Sequence, residues 1–498
     1  MIAVPGPPFP HRPSPRPRPG PGPAPGRAPA RPGAAPGDPG RTPWGWPEFF
    51  VLALTLTPAL LFLPGITPVR AATRVARFAY GLVAWGVFLR RGGGAAGVKS
   101  FPARPWLIFC AVWLVCQIGN PGNYSLKAAV GQVLLYLAVM SPAFWAGAAI
   151  STPRQFGRLM AVLFLCNALS SVLGVAQVYY PERFNPPVIP ALNGVFGGED
   201  LKYEAADGRK ILRPCGLSDT PGSVAPAGAT TALIGLCWAL RPVGVLRRLA
   251  SLGLAFAGVA VIYFTQVRAS MVTLGVCTAT LTALWLVQGN VRQALTLAGG
   301  GLGLAAGALA WVARTVGSRA VERFGTLLGG DPADLYARSR GGFVKEALTE
   351  AVWDYPLGLG LGWYGMIHAL FLDPSRVSLV WVEVMIQAFV YDGGVPLLVG
   401  YGGALAAALL DSLRIALTSR DRDLRFWAAV VFSQNLSLVA NCFSFATFLS
   451  VMGPPFWLFA AALHAADARS RLGDPAARPR PRPRPRVRRA WPGGSAPR

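Results

Sequence analysis

The chain has 498 residues, 53% of them hydrophobic and 14% charged, a balance that excludes a string of ordinary soluble domains and points to a chain held largely in a membrane. Its net charge of +25 gathers at the ends: residues 1–47 hold six Arg and one Asp, residues 466–498 ten Arg and two Asp. Those ends are Pro-rich without interleaved aromatics, so the charge does not imply nucleic acid, and no Cys-x-x-Cys pair suggests zinc or redox chemistry.

Residues 1–47 contain 17 Pro and read as a disordered cytoplasmic tail, too long and basic for a signal peptide and without a small-residue cleavage site after the apolar run. Apolar stretches follow near 48–64, 71–89, 105–119, 126–149, 157–180, 221–240, 249–266, 269–288, 293–314, 394–416, 425–441 and 443–464. Most approach the ~20 residues that cross hydrocarbon as a helix, so residues 48–466 read as a polytopic all-α domain of about 12 transmembrane helices. Residues 379–391 are too few to span and stop at Asp392-Gly393-Gly394, which predicts a half-helix. An even number of spans puts both termini on the same side, which the basic loops make the cytoplasmic one. That choice keeps Arg90, Arg91, Lys99 and Arg104, then Arg154 and Arg158, then Arg241, Arg247 and Arg248, then Arg420, Arg422 and Arg425 inside. Arg70, Arg74 and Arg77 run against it, at the outer end of the second span on one helical face, where they either snorkel to headgroups or meet an anionic substrate. Residues 181–220 and 315–393 become outward loops, the second between spans 9 and 10. Residues 467–498 become a second Arg/Pro-rich cytoplasmic tail, solvated or held by anionic lipid. No repeat of 20 to 50 residues is visible, which disfavours the common transporter plans.

Polar residues at membrane depth or beside it are the candidates for chemistry. Arg268 stands among Thr265, Gln266 and Ser270, as an interfacial anchor or in an anion site. Arg338 and Arg340 precede an amphipathic helix predicted over 342–353, where the free N–H groups of a helix start and a guanidinium fork together suit phosphate. The run Tyr355 to Tyr364 alternates Gly, but no strand precedes it and no Lys-Ser/Thr follows, so it reads as a tight turn and not a phosphate loop. In the half-helix, Glu383, Gln387 and Tyr391 fall at i, i+4 and i+8, a polar face turned either to water or to a pocket where the carboxylate acts as a base. His368 is the one outward imidazole, and no His pair at metal-ligand spacing occurs, so no metal site is expected.

In order along the chain, Arg213-Pro214-Cys215-Gly216 followed by Pro221-Gly222 and Ala225, the Thr-x-x-Arg of Thr265 to Arg268, the run from Ser339-Arg340 to Pro356-Leu357-Gly358-Leu359-Gly360, and the half-helix ending at Asp392-Gly393-Gly394 resemble the O-antigen ligase and O-antigen polymerase family of polytopic glycosyltransferases. The likeness covers residues 205–415; the earlier spans agree only in number. It implies a GT-C-like membrane enzyme that takes a glycan from an undecaprenyl-diphosphate carrier and moves it to a saccharide or lipid-core acceptor at the periplasmic face of the bacterial inner membrane, with no cofactor and no metal. By the resemblance Arg268 and Arg340 take the diphosphate, with Arg338 as a nearby reserve; Arg213, in the first matching stretch, and Gln387 and Tyr391, on the half-helix face, are the further candidates for binding substrate. Many members carry a His where this chain has Glu383, so either Glu383 receives the acceptor proton, or the chain is inactive or does another job, or His368 takes the place of that His. A transporter or flippase of lipid-linked glycan, or a non-catalytic component of envelope assembly, is the alternative.

Overall fold

The structure is a computed structural model that describes residues 44–473, except 64, 67–68, 91–99, 151, 187–201, 205–207, 209, 318–321, 323, 326–328, 330, 332–333, 335 and 372–379. The expected tails before residue 44 and after residue 473, and much of the two expected outward loops, lie outside the described residues.

Helices dominate, as the composition predicts. In chain order they are α1 (Trp46–Leu56, prolonged by a 3-10 turn Thr57–Phe62), α2 (Arg70–Arg90), α3 (Arg104–Cys116), α4 (Leu126–Met140), α5 (Pro142–Ala149), α6 (Pro153–Tyr179), α7 (Pro181–Phe184), α8 (Ala225–Ala239), α9 (Val245–Thr265), α10 (Arg268–Val287) and α11 (Val291–Val316). Four contiguous helical segments, Ala337–Gly341, Gly342–Glu346, Ala347–Ala351 and Val352–Asp354, together form α12. Then come α13 (Gly365–Phe371), α14 (Met385–Thr418), α15 (Arg422–Ala440) and α16 (Gly453–Gly473). A small antiparallel hairpin, β1 (Lys202–Glu204) with β2 (Lys210–Leu212), pairs Tyr203 with Ile211. Seven helices are long and apolar enough to cross a membrane: Leu126–Ala149, Pro153–Tyr179, Val245–Thr265, Arg268–Val287, Val291–Val316, Met385–Thr418 and Arg422–Phe443. Trp46–Phe62, Arg104–Gly119 and Ala225–Ala239 are shorter apolar helices. This is the architecture of an all-α polytopic membrane protein.

Three expectations shift. The last helix begins at Gly453 and not near 443, because Pro454 and Pro455 suit a first helical turn while residues 444–452 make turns; it then runs on to Gly473, past the expected boundary at 466. The half-helix begins at Met385, so Glu383 precedes it and does not share a helical face with Gln387 and Tyr391. The helix predicted over 342–353 starts earlier, at Ala337, and contains two π-turns.

Polar contacts segregate to the two ends of the bundle. At one end Arg158 at the start of α6 pairs with Glu48 of α1 (2.6 Å), Arg241 after α8 pairs with Asp423 of α15 (2.7 Å), and His464 Nδ1 lies 2.7 Å from Asp411 Oδ2. At the opposite end Arg70 and Arg74 of α2 grip Asp219 (2.5 and 2.9 Å), and Tyr179 of α6 meets Thr315 of α11 (2.9 Å). Between them the helices meet mostly through apolar and small side chains, with a few buried polar contacts such as Ser171 with Thr231 (3.2 Å) and Trp457 Nε1 with Tyr401 OH (3.2 Å). At the tightest crossing, a Cβ built on Gly228 of α8 would lie 2.6 Å from the carbonyl oxygen of Gly258 in α9, and one on Gly258 would lie 2.6 Å from that of Gly228. Such close approach is how helices associate where the surrounding solvent offers no hydrophobic drive.

Gly258→Val should therefore separate α8 and α9 at a cost of about 1–3 kcal/mol for overpacking, whereas Gly253→Val, with open space around its Cβ, should be near neutral. Thermal unfolding of the two variants in detergent checks the contrast.

Candidate functional site

The site is organised by a break in α14. Gly394 adopts φ 63°, ψ −155°, and a Cβ there would lie 2.1 Å from the carbonyl oxygen of Pro356, so the chain bends where the Gly-rich turn docks. Val395 N donates to Pro356 O (2.9 Å) and Gly360 N to Tyr391 O (3.1 Å). The other side of the turn is held by the α3–α4 connection: Gln117 Nε2 donates to Leu357 O (2.8 Å), Asn120 Nδ2 to Gly358 O (3.2 Å), Trp363 Nε1 to Gly122 O (3.0 Å), and Leu361 N to Asn123 Oδ1 (2.6 Å). Trp113 Nε1 also donates to Gly393 O at the bend (2.7 Å). Residues 356–363 are thus a structural wedge, as the missing strand and Lys suggested, and Gly360 is required because a Cβ there would lie 2.8 Å from the Gly122 backbone.

Beneath the bend Asp392 is fully buried. Its Oδ2 accepts from Gln132 Nε2 (2.8 Å) and Tyr136 OH (2.8 Å), both on α4, and from Tyr364 OH after the wedge. Burial pushes the Tyr364 phenol well above its ordinary pKa, which keeps it a proton donor to the carboxylate. Sequence reasoning took Asp392 only for a helix breaker. A carboxylate inside an apolar run was the signal that it needed buried donors.

Above the bend four of the expected residues come together. Arg340 of α12 forms an ion pair with Glu383, just before α14, and Trp381 Nε1 donates to Glu383 Oε1 (2.7 Å). Gln387 turns back to accept from Glu383 N (3.1 Å), and Tyr391 OH donates to Glu346 Oε1 of α12 (3.3 Å). Gln387 and Tyr391 therefore splint the half-helix to Glu383 and α12. Partial burial pulls the Arg340 pKa below its usual value, yet an arginine remains cationic throughout. Arg338 points elsewhere, pairing with Asp334 (2.8 Å) with its side chain 79% exposed. His368, on α13, is buried.

Arg268 opens α10, two residues after Gln266, which takes the left-handed conformation (φ 56°, ψ 25°) to turn the chain from α9. It lies beside the loop that carries Arg213, since a Cβ on Gly222 would lie 3.4 Å from Val267 Cγ2. Gln177 of α6 clamps that loop, its Oε1 accepting from Cys215 N and Gly216 N (both 2.8 Å). Arg268 and Arg340 also sit at the same end of the bundle. Cys277 of α10 touches Ser437 of α15 (2.9 Å), and Tyr336, one turn before Arg340, donates to Phe443 O just past α15 (2.9 Å). Among the described residues no group of three or more His, Cys, Asp or Glu side chains could hold a metal ion. Compared with models of known families and with curated proteins, the chain matches none.

Two outcomes test this geometry. Asp392→Ala should orphan three buried donors at about 1–3 kcal/mol each, while Asp392→Asn, which keeps an acceptor oxygen, should lose less; unfolding midpoints in detergent separate them. Burial pushes the Cys215 thiol up to about 12, so roughly 10⁻⁴ of it is thiolate at pH 8. Alkylation followed by mass spectrometry should leave Cys215 unmodified until the protein is denatured.

Proposed function

We propose that the chain is a glycosyltransferase of the bacterial inner membrane, similar in kind to O-antigen ligases and polymerases. It would move a glycan from an undecaprenyl-diphosphate carrier to a saccharide or lipid-core acceptor at the periplasmic face. In this reading the seven long helices, the three shorter apolar ones, α2 and α16 make twelve crossings with both ends of the chain in the cytoplasm. The segregation of polar contacts supports it: the starts of α1, α3 and α6 and the ends of α5, α8 and α14 lie together, as alternating crossings require.

The observation that carries the reading is the Arg340–Glu383 pair at the start of a half-helix beside the membrane. A guanidinium already neutralised by a carboxylate can exchange that partner for a better one. A diphosphate offers more acceptor oxygens and more charge, so its arrival would take Arg340 and release Glu383. The freed carboxylate would then accept the proton of an acceptor hydroxyl as its oxygen bonds to the anomeric carbon. The bond from that carbon to the carrier oxygen breaks with its electron pair passing to the diphosphate. Negative charge grows on the leaving group in that step, and Arg268 and Arg340 would stabilise it more than the ground state, which is what accelerates a reaction. The lone His368, buried on a separate short helix, is less suited to that task than Glu383.

Full-length protein reconstituted in proteoliposomes with a lipid-diphosphate glycan donor tests this directly. Arg268→Ala and Arg340→Ala should each lower transfer by roughly 10²–10³, and Glu383→Gln by about 10²–10⁴ if it is the base. Wild-type transfer that survives all three substitutions in well-folded protein, or donor transport with no bond cleavage, would overturn the assignment.

A further inference from the structure

A second cationic cluster is built from residues other than Arg268 and Arg340. Arg70, Arg74 and Arg77 lie at i, i+4 and i+7 on α2, so one helical face presents all three. Arg70 and Arg74 converge on Asp219 in the loop between β2 and α8. Arg70 Nε donates to Oδ2 at 2.5 Å, Arg74 Nε donates to both carboxylate oxygens at 3.2 Å, and Arg77 feels the charges of Asp219 and Arg74. Arg70 is 8% exposed and Asp219 4%, so water does little to screen the group. Among the described residues, Asp219 is the one carboxylate in ion-pair reach of the three, and no acceptor reaches the buried Arg70 Nη1 or Arg77 Nε.

Three guanidiniums against one carboxylate leave an excess of two positive charges, together with donors aimed inward and unmet. Buried donors without acceptors and buried charges without partners are both costly, and helices do not keep them without a compensating group. Snorkelling does not account for the cluster, because its guanidiniums turn toward a protein loop and Arg70 is enclosed. The missing partner must be compact, rich in acceptor oxygens and close to doubly negative. Guanidinium forks match phosphate best among such groups.

We infer that Arg70, Arg74 and Arg77, organised by Asp219, form a binding site for a phosphate group, distinct from the Arg268 and Arg340 positions. Asp219 plays the part of a spacer. It draws two of the arginines together and leaves Arg70 Nη1 and Arg77 Nε for the anion. The phosphate can come from an anionic lipid headgroup at this end of the bundle or from phosphate in solution. The site stands whether or not the chain transfers glycans, and its test reads binding alone.

The experiment uses the full chain purified in detergent, with the unfolding midpoint followed against inorganic phosphate and against chloride at matched ionic strength. Wild type should be stabilised saturably by phosphate and not by chloride. Arg77→Gln, which removes no direct ion pair, should weaken the apparent affinity about tenfold or more, the usual worth of a charge-assisted hydrogen bond. Asp219→Asn should bind phosphate more tightly, because it removes the competing negative charge, even if it lowers the unliganded midpoint; should that variant fail to fold, Arg77→Gln carries the test. Nanodiscs separate the sources. If a headgroup is the occupant, phosphatidic acid in phosphatidylcholine raises the midpoint and added inorganic phosphate brings no further gain; if free phosphate is the occupant, phosphatidic acid has no effect. No saturable stabilisation by either probe, or equal stabilisation of wild type and Arg77→Gln, overturns the proposal.

Discussion

Asp392 is a carboxylate with no water around it, and the candidate site depends on how it is accommodated. Three hydroxyl and amide donors from α4 and the segment after the wedge converge on one of its oxygens. That convergence ties the half-helix to α4 immediately before Gly394 reverses the local backbone. Because the carboxylate is enclosed, letting go of the donors would leave several polar groups bare in apolar surroundings, and the penalty holds the bend in place. The bend in turn makes room for the Gly-rich wedge, and the wedge sets the path along which α12 brings Arg340 to Glu383.

Charge is handled differently along the length of the bundle. In the middle, helices also approach closely through Gly, as where Gly228 meets Gly258. At the ends, carboxylates receive arginines: Glu48, Asp411 and Asp423 at one end, Asp219 and Glu383 at the other. The pairs differ in what they leave over. At the Glu48 end Arg414 is placed by Asp411 (2.6 Å) and approached by Asp467 (3.8 Å). Around Asp219 three arginines meet one carboxylate, and the buried Arg70 Nη1 and Arg77 Nε meet no acceptor in the protein.

Much of this was legible beforehand. Apolar runs of adequate length announce helices, since hydrocarbon accepts only helices or closed barrels. The Gly-rich run was recognisable as a turn by what it lacked. Arg340, Glu383, Gln387 and Tyr391 could be singled out because polar groups beside a membrane are rare. Their relation was not legible. Glu383 seemed to share a helical face with Gln387, whereas it lies outside the helix and meets Gln387 through its own backbone N–H. Arg70 and Arg74 were an anomaly of the charge rule until Asp219, remote in sequence, came to lie against them.

Sequence alone therefore determined the solvent in which the chain folds, the class of its elements and the residue types fit for anion chemistry, because those follow from composition and periodicity within short windows. Tertiary structure decided the partners. It placed Asp392 among Gln132, Tyr136 and Tyr364, set Arg340 against Glu383, and surrounded Asp219 with arginines. The physical reason is that a buried charge is tolerated only by what surrounds it, and those surroundings are supplied by segments far away along the chain.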